Sequence, residues 1–341
     1  MRKEYCVLNL DNYRKLGLSE LMVSPLCLGT MNFNRDFGEK AAQELVDHYL
    51  AAGGNFIDTA NVYGEGTSEE FLGRILKGRR KKVILATKCR WSEKGYMDNT
   101  HITAGLSPKA INAAVEGSLK RLQTDYIDLY QVHAWDKATP LEETMGALHR
   151  LVERGLVRSI GMSNFTAWQL SEAMAVSRLN QWHGFVSGQM QYSLIVRDIE
   201  TGIKNVMERH GLGLICWSPL AGGMLTGKYV QDKEPAEGTR YGSKSPITTM
   251  IRKKLFTDES FKIVNEVISI ARAKKILPLQ VALAWLLKNP MVTSIIIGPN
   301  SLSQLMDNLA SLNVSLGDEE MEWLNRISEK RPATYPENMG Q

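Results

Sequence analysis

Cysteine is scarce, with four in 341 residues: Cys6, Cys27, Cys89 and Cys216. None stand at zinc-ligand spacing and no secretory leader precedes the first, which excludes a disulfide framework and leads us to expect a reducing, cytoplasmic setting. Histidine is nearly as rare. His48, His101, His133, His149, His183 and His210 form no H-x-H or H-x-x-x-H pair, so no metal is expected. No apolar run approaches the roughly 18 residues of a membrane span. One-sided charge is missing too: 41 Lys and Arg against 37 Asp and Glu leave a surplus of four, too small and scattered for nucleic acid. The one dense basic run, 77–82, is broken only by Gly78 and reads as a solvated helix end, where cations are favoured. Neither G-x-G-x-x-G nor G-x-S-x-G occurs, which speaks against a Rossmann domain and an α/β-hydrolase.

What is present is ordinary globular composition, 43% apolar and 23% charged, in a chain long enough to bury a large core unaided. Short apolar runs at 25–28, 55–57, 83–87, 127–132, 158–162, 185–190, 213–217 and 294–297 read as strands. They are continuously apolar rather than alternating, as parallel strands covered on both faces should be. Helical patterns lie between them. Ala41, Leu45 and Tyr49 share a stripe that Gly53-Gly54 ends. Thr67 with Glu70, Thr139 with Glu142, and Thr166 with Gln169 fit capping boxes. Ser107-Pro108 starts a helix with Ile111, Val115 and Leu119 inward. Residues 228–257 form a longer polar excursion, followed by helices over 258–275 and 278–289.

Eight strand-then-helix units in some 280 residues predict a (β/α)8 TIM barrel, an α/β fold, over 13–330. Residues 13–24 are expected to form an N-terminal β-hairpin closing the bottom. An N-terminal segment, 1–12, and a C-terminal tail, 331–341, flank the domain.

Chemistry in such a barrel sits at the C-terminal strand ends. There the sequence places Gly29-Thr30, Asp58, Lys88, His133, Ser163-Asn164, Gln189, Trp217-Ser218 and Gly298. A buried Asp and a buried Lys are each costly alone, so Asp58 and Lys88 on adjacent strands suggest an ion pair. Tyr63 follows Asp58 by five residues, and a nearby ammonium lowers a phenol's pKa. A phenol so tuned serves as a proton donor and acceptor, with His133 beside it. Singly, Asp58 reads equally as a turn residue, Lys88 as a solvated strand end and His133 as a structural histidine; together at one mouth they read as a site. A two-carboxylate glycosidase lacks a partner for Asp58.

The stretches F-I-D-T-A-N-V-Y-G (56–64), A-T-K (86–88), Q-V-H (131–133), G-M-S-N-F (161–165), Q-M-Q-Y-S (189–193) and W-S-P-L-A-G-G-M-L-T-G-K-Y (217–229) resemble the aldo-keto reductase superfamily. I-I-I-G-P-N-S-L-S-Q-L-M-D-N (295–308) is similar to its branch of bacterial reductases and potassium-channel β subunits. The resemblance implies NADPH-dependent reduction of a small aldehyde or ketone to an alcohol, without metal or flavin, and NADPH in preference to NADH. By it Tyr63 is the general acid, Lys88 lowers its pKa, Asp58 anchors Lys88 and His133 orients the carbonyl. Ser163, Asn164 and Gln189 hold the nicotinamide carboxamide and Trp217 stacks on its ring; Gly29, Thr30 and Met31 lie near its ribose. Ser218, Leu220, Gly222 and Lys228 take the pyrophosphate, and Gly298, before a helix, also contacts the cofactor. Gln304, Asp307 and Asn308 take the adenosine, and Arg240 suits a 2′-phosphate.

Some of these residues have a second reading. Trp217 also suits barrel core, and Met31 plain packing. Ser301-Leu302-Ser303-Gln304 is itself a capping-box pattern. Trp91, Tyr96 and Trp135 either line an apolar substrate pocket or cover the rim. The resemblance also admits an NADPH-binding regulatory subunit with little turnover.

Overall fold

The computed structural model describes residues 10–34, 36–243 and 245–330; Cys6, most of the N-terminal segment and the 331–341 tail lie outside them. Eight parallel strands close a barrel: β3 (Leu26–Gly29), β4 (Phe56–Asp58), β5 (Ile84–Cys89), β6 (Ile127–Val132), β7 (Val157–Ser163), β8 (Ser187–Gln191), β9 (Gly213–Trp217) and β10 (Val292–Ile297). Chain neighbours are spatial neighbours throughout, and β10 returns to β3 with Ile295 opposite Leu26. All eight expected runs are strands, their ends shifted by at most two residues.

Around the barrel run α1 (Glu39–Ala51), α2 (Thr67–Ile75), α3 (Pro108–Leu122), α4 (Leu141–Glu153), α5 (Ala167–Leu179), α6 (Ile203–Arg209), α7 (Pro246–Leu255), α8 (Asp258–Lys274), α9 (Pro278–Lys288), α10 (Leu302–Leu309) and α11 (Asp318–Ser328). No described helix is long and apolar enough to cross a membrane.

The hairpin forms as expected, β1 (Arg14–Lys15) against β2 (Met22–Val23). Its turn inserts fully buried Leu16 into the barrel floor. Gly17 must be glycine, because its φ is +57° and a Cβ would stand 2.2 Å from the Val186 carbonyl oxygen. Burying Leu16 contributes about 1.5–3 kcal/mol to holding the plug in place.

Alternation along the strands creates two cores. Leu26, Leu28, Ile57, Leu85, Tyr130, Val132, Ile160 and Met162 face the helices. Cys27, Phe56, Ala86, Leu129 and Ile215 fill the interior above Leu16 and Val23. Two residues further along the same inner faces come Gly29, Asp58, Lys88, Gln131 and Trp217. The apolar floor therefore supports a polar storey.

Several local expectations are corrected. Ser107 caps α3 by accepting from the Ala110 N–H, and the Gln169 carboxamide accepts from the Thr166 N–H at 2.9 Å. Thr67 and Thr139 cap nothing. Thr67 already lies inside the first turn of α2, behind Gly66 at φ 90°, and the Thr139 hydroxyl donates to Asp136 instead. The buried stripe of α1 runs through Ala42, Leu45, Val46 and Tyr49, with Ala41 half-buried beside it. The basic run is solvated, as expected, at exposed Lys77, Lys81 and Lys82, whereas Arg79 pairs with Asp47 and Arg80 with buried Asp128. The excursion before α8 contains α7, whose start Ser245 caps by accepting from the Thr248 N–H.

Candidate active site

The ammonium of Lys88, fully buried at the end of β5, sets the geometry. It donates to Asp58 Oδ1 at 2.5 Å, the Thr59 carbonyl at 2.9 Å and Tyr63 Oη at 3.2 Å. Three donors meet three acceptors, so the charge is satisfied without water. Burial works to lower the Lys88 pKa, but Asp58 and Tyr63 outweigh it and hold it above its ordinary value. Asp58 Oδ2 accepts from the carboxamides of Gln131 at 3.0 Å and Gln189 at 2.8 Å. Three donors thus converge on one buried carboxylate, which satisfies its oxygens without solvent.

Tyr63 arrives on a tight turn, Tyr63–Gly66, where Gly64 and Glu65 are left-handed before α2 begins. Because its oxygen accepts from Lys88, the phenol's own hydrogen is free to go elsewhere; among the described residues nothing accepts it. The expectation that Lys88 leaves this phenol with a lowered pKa is corrected. Burial pushes Tyr63 up, Lys88 works against that and Asp58 offsets part of the Lys88 field, so the net direction is upward. The His133 ring stands edge-on to Tyr63, centroids 5.8 Å apart. Burial, then the Lys88 charge, hold its pKa well below 6.5, so the imidazole is neutral at pH 7.

The expected carboxamide-binding trio forms one cluster. Ser163 Oγ donates to the Gln189 carbonyl, and Asn164, at φ 59°, donates to Ser163 Oγ and the His133 carbonyl. The half-buried indole of Trp217 donates to Asn164 Oδ1 at 3.1 Å. Gln189 spends its amide on Asp58, and among the described residues nothing donates to its Oε1. Thr30 is engaged internally: its N–H and hydroxyl go to the Asp58 carbonyl, and its own carbonyl accepts from Phe33 and Ser68. Gly29 and the exposed Met31 flank it.

Beyond Trp217 the chain winds through left-handed Ser218, Ala221, Gly222 and Gly223. Such turns aim backbone N–H groups into a shared concavity suited to anions. Gly222 packs under Tyr241, where a Cβ would come 2.2 Å from the phenol oxygen, and Gly223 packs against the Lys228 stem and ammonium. Leu220 is half-buried on this loop, and Arg240 is exposed next to Tyr241. The residues present thus fit a dinucleotide: an aromatic plate beside a polar cluster, then a glycine cradle with Lys228 and Arg240 at its edge.

Other expected residues separate. Burial raises the Tyr96 phenol to about 12, and the Arg240 charge works weakly against it. Tyr96 stands 6.1 Å from the His133 ring and 5.8 Å from Trp91. Trp135 is not in that group; it packs on Phe165 and Trp168 outside it. Gln304 does serve the helix end, accepting from the Asn300 N–H at 2.9 Å, while Ser301 caps α10. Asn308 is buried, Asp307 half-buried and Gly298 exposed along the same seam, where Asn32 donates to Asn300.

Gln131 is the residue that the sequence reading quoted but gave no role. Leu129, Gln131 and His133 share one face by the strand's period of two, and this signal was available. Gly161 makes room for it; a Cβ there would meet the Gln131 stem at 3.2 Å. Gln131→Leu should lower thermal stability by about 1.5–3 kcal/mol, the worth of a hydrogen bond to a charged group. Unfolding unchanged from wild type in calorimetry would show that Gln189 and Lys88 suffice to hold Asp58.

Known proteins resemble the chain over nearly its whole length. The Aldo/keto reductase family model matches residues 25–329. "Uncharacterized oxidoreductase YrpG" of Bacillus subtilis is 40% identical over 322 residues, covering 92% of this chain and 95% of that protein. "Versiconal hemiacetal acetate reductase" of Aspergillus parasiticus is 34% identical over 92% of this chain and 95% of its own. "Probable voltage-gated potassium channel subunit beta" of Oryza sativa subsp. japonica is 33% identical over 94% and 97% respectively. A closed eight-stranded barrel and similarity over nearly its whole length lead to one assignment: the chain is an oxidoreductase-type member of the aldo/keto reductase family.

Proposed function

We propose that the chain reduces an aldehyde or ketone to an alcohol with NADPH, Tyr63 acting as general acid. One observation carries the reading: the Tyr63 oxygen accepts from Lys88 while its own hydrogen has no protein acceptor among the described residues. Reduced nicotinamide, when bound, supplies a hydride to the carbonyl carbon. The oxygen then needs a proton, and Tyr63 holds one within the polar storey. Lys88 steadies the phenolate left behind, and Asp58 fixes Lys88. His133, neutral, offers an N–H to the same oxygen, so two donors share the developing charge. Ser163, Asn164, Gln189 and Trp217 form the seat for the nicotinamide. The 218–228 loop with Lys228 and Arg240 suits the phosphates, and the guanidinium favours NADPH over NADH. Trp91 and Tyr96 give the carbonyl's remainder an aromatic wall beside His133.

The pH profile tests this. Reduction requires the neutral phenol, and a pKa raised above 10 keeps it neutral through ordinary conditions. His133 stays neutral until the pH falls to its pKa, which burial holds well below 6.5. NADPH oxidation with a panel of aromatic and aliphatic aldehydes should therefore give kcat nearly flat from about pH 6 to about pH 9, falling only above about pH 10. A half-maximal rate near neutrality would remove Tyr63 as the titrating acid. Tight NADPH binding without turnover on any carbonyl would favour the regulatory reading, which the channel-subunit relative suggests.

A further inference from the structure

Remote from the mouth, three side chains converge that no part of the reductive reading uses. His149 and Glu153 lie four residues apart on α4 and so share one face. His183 sits in the connection from α5 to β8. Its Nε2 is 2.9 Å from Glu153 Oε1, and its backbone N–H reaches His149 Nδ1 at 3.4 Å. The two imidazole rings are 5.2 Å apart, and the Trp182 indole stacks on His149 at 5.9 Å and 19°. One ring nitrogen from each histidine and one carboxylate oxygen all fall within 4.8 Å of one another. The helix leads away from the mouth: just past its end, the Leu156 carbonyl pairs with Ile127 at the start of β6.

We propose that His149, Glu153 and His183 form a binding site for Zn2+ on the barrel's lower flank. Two imidazoles and one carboxylate are a borderline-soft donor set, suited to zinc over magnesium or calcium. Zinc bonds of about 2.0–2.2 Å put ligand atoms about 3.4 Å apart, between the 2.9 Å of the His183–Glu153 pair and the 4.8 Å within which all three atoms fall. His183 and Glu153 are 47% and 60% exposed and free to turn inward, and the remaining coordination positions fall to water. The Trp182 stack keeps His149 in place. The bound ion bridges α4 and the loop that feeds β8, adding to the Trp182 stack, one side-chain hydrogen bond and a long backbone contact already there.

Calorimetric titration of the metal-free full chain with ZnCl2 should give one Zn2+ per chain. Saturating zinc should raise the unfolding temperature by about 2–4 °C. His183→Ala and Glu153→Gln should each weaken binding at least about tenfold and abolish the thermal shift, with folding in the absence of zinc unchanged. His149→Ala should do the same; if the loss of its stack disturbs folding, the other two variants decide. Paramagnetic Ni2+ should broaden the ring protons of His149 and His183 ahead of the other four histidines. No saturable binding to wild type, or equal affinity in the His183 and Glu153 variants, overturns the proposal. Neither outcome bears on carbonyl reduction.

Discussion

Tyr63→Phe should reduce carbonyls about 10²–10⁴-fold more slowly than wild type, the range over which a positioned acid contributes to rate. The substitution removes one oxygen and keeps the ring that stands against His133. Cofactor affinity, read by nicotinamide fluorescence, should change by less than about threefold, because Tyr63 belongs to the proton path rather than to the 218–228 cradle. The loss should therefore fall on kcat, since the interaction is made mainly in the transition state. A variant retaining most of its NADPH oxidation would mean that another group, such as Lys88 or His133, delivers the proton.

Lys88→Met should be worse, and differently so. It leaves the Asp58 carboxylate buried with two carboxamide donors and no counter-charge. Breaking a buried pair at one partner costs about 3–5 kcal/mol, so unfolding should shift markedly to lower temperature. Turnover should fall along with it, because Tyr63 loses the one bond that fixes its oxygen. The double variant Lys88→Met, Asp58→Leu separates the two effects. Removing both charges should restore most of the stability and none of the activity. If the double variant is as unstable as the single one, the packing of the Lys88 stem, rather than the stranded charge, governs the loss.

Strand positions and the mouth residues were legible because both follow from periodicity. A short continuous apolar run marks a parallel strand, and whatever polar residue follows it must emerge at the open end. That reasoning brought Asp58, Lys88, Tyr63 and His133 to one place. It was silent where a group's availability depends on neighbours distant in sequence. Thr30 is committed to Asp58 and Ser68, and Trp135 to Phe165 and Trp168, through contacts that no local pattern announces. The Tyr63 shift runs opposite to expectation for a related reason: the desolvation that outweighs the Lys88 ammonium comes from packing that no local pattern announces. Capping failed at Thr67 because left-handed Gly66 already ends the preceding turn. His149 and His183 escaped the spacing search because 34 residues of chain separate them, although Trp182 and Glu153 bring them side by side.

The hairpin plug makes the barrel a cup rather than a tube. With Leu16 seated beneath Phe56 and Leu129, the buried Asp58–Lys88 pair is sealed from below and approachable only from the mouth. Whatever lies across the rim therefore governs how much water screens them, and covering it strengthens every contact to Lys88 at once. Two guests in such a vessel share one doorway, so the lower must enter first and leave last.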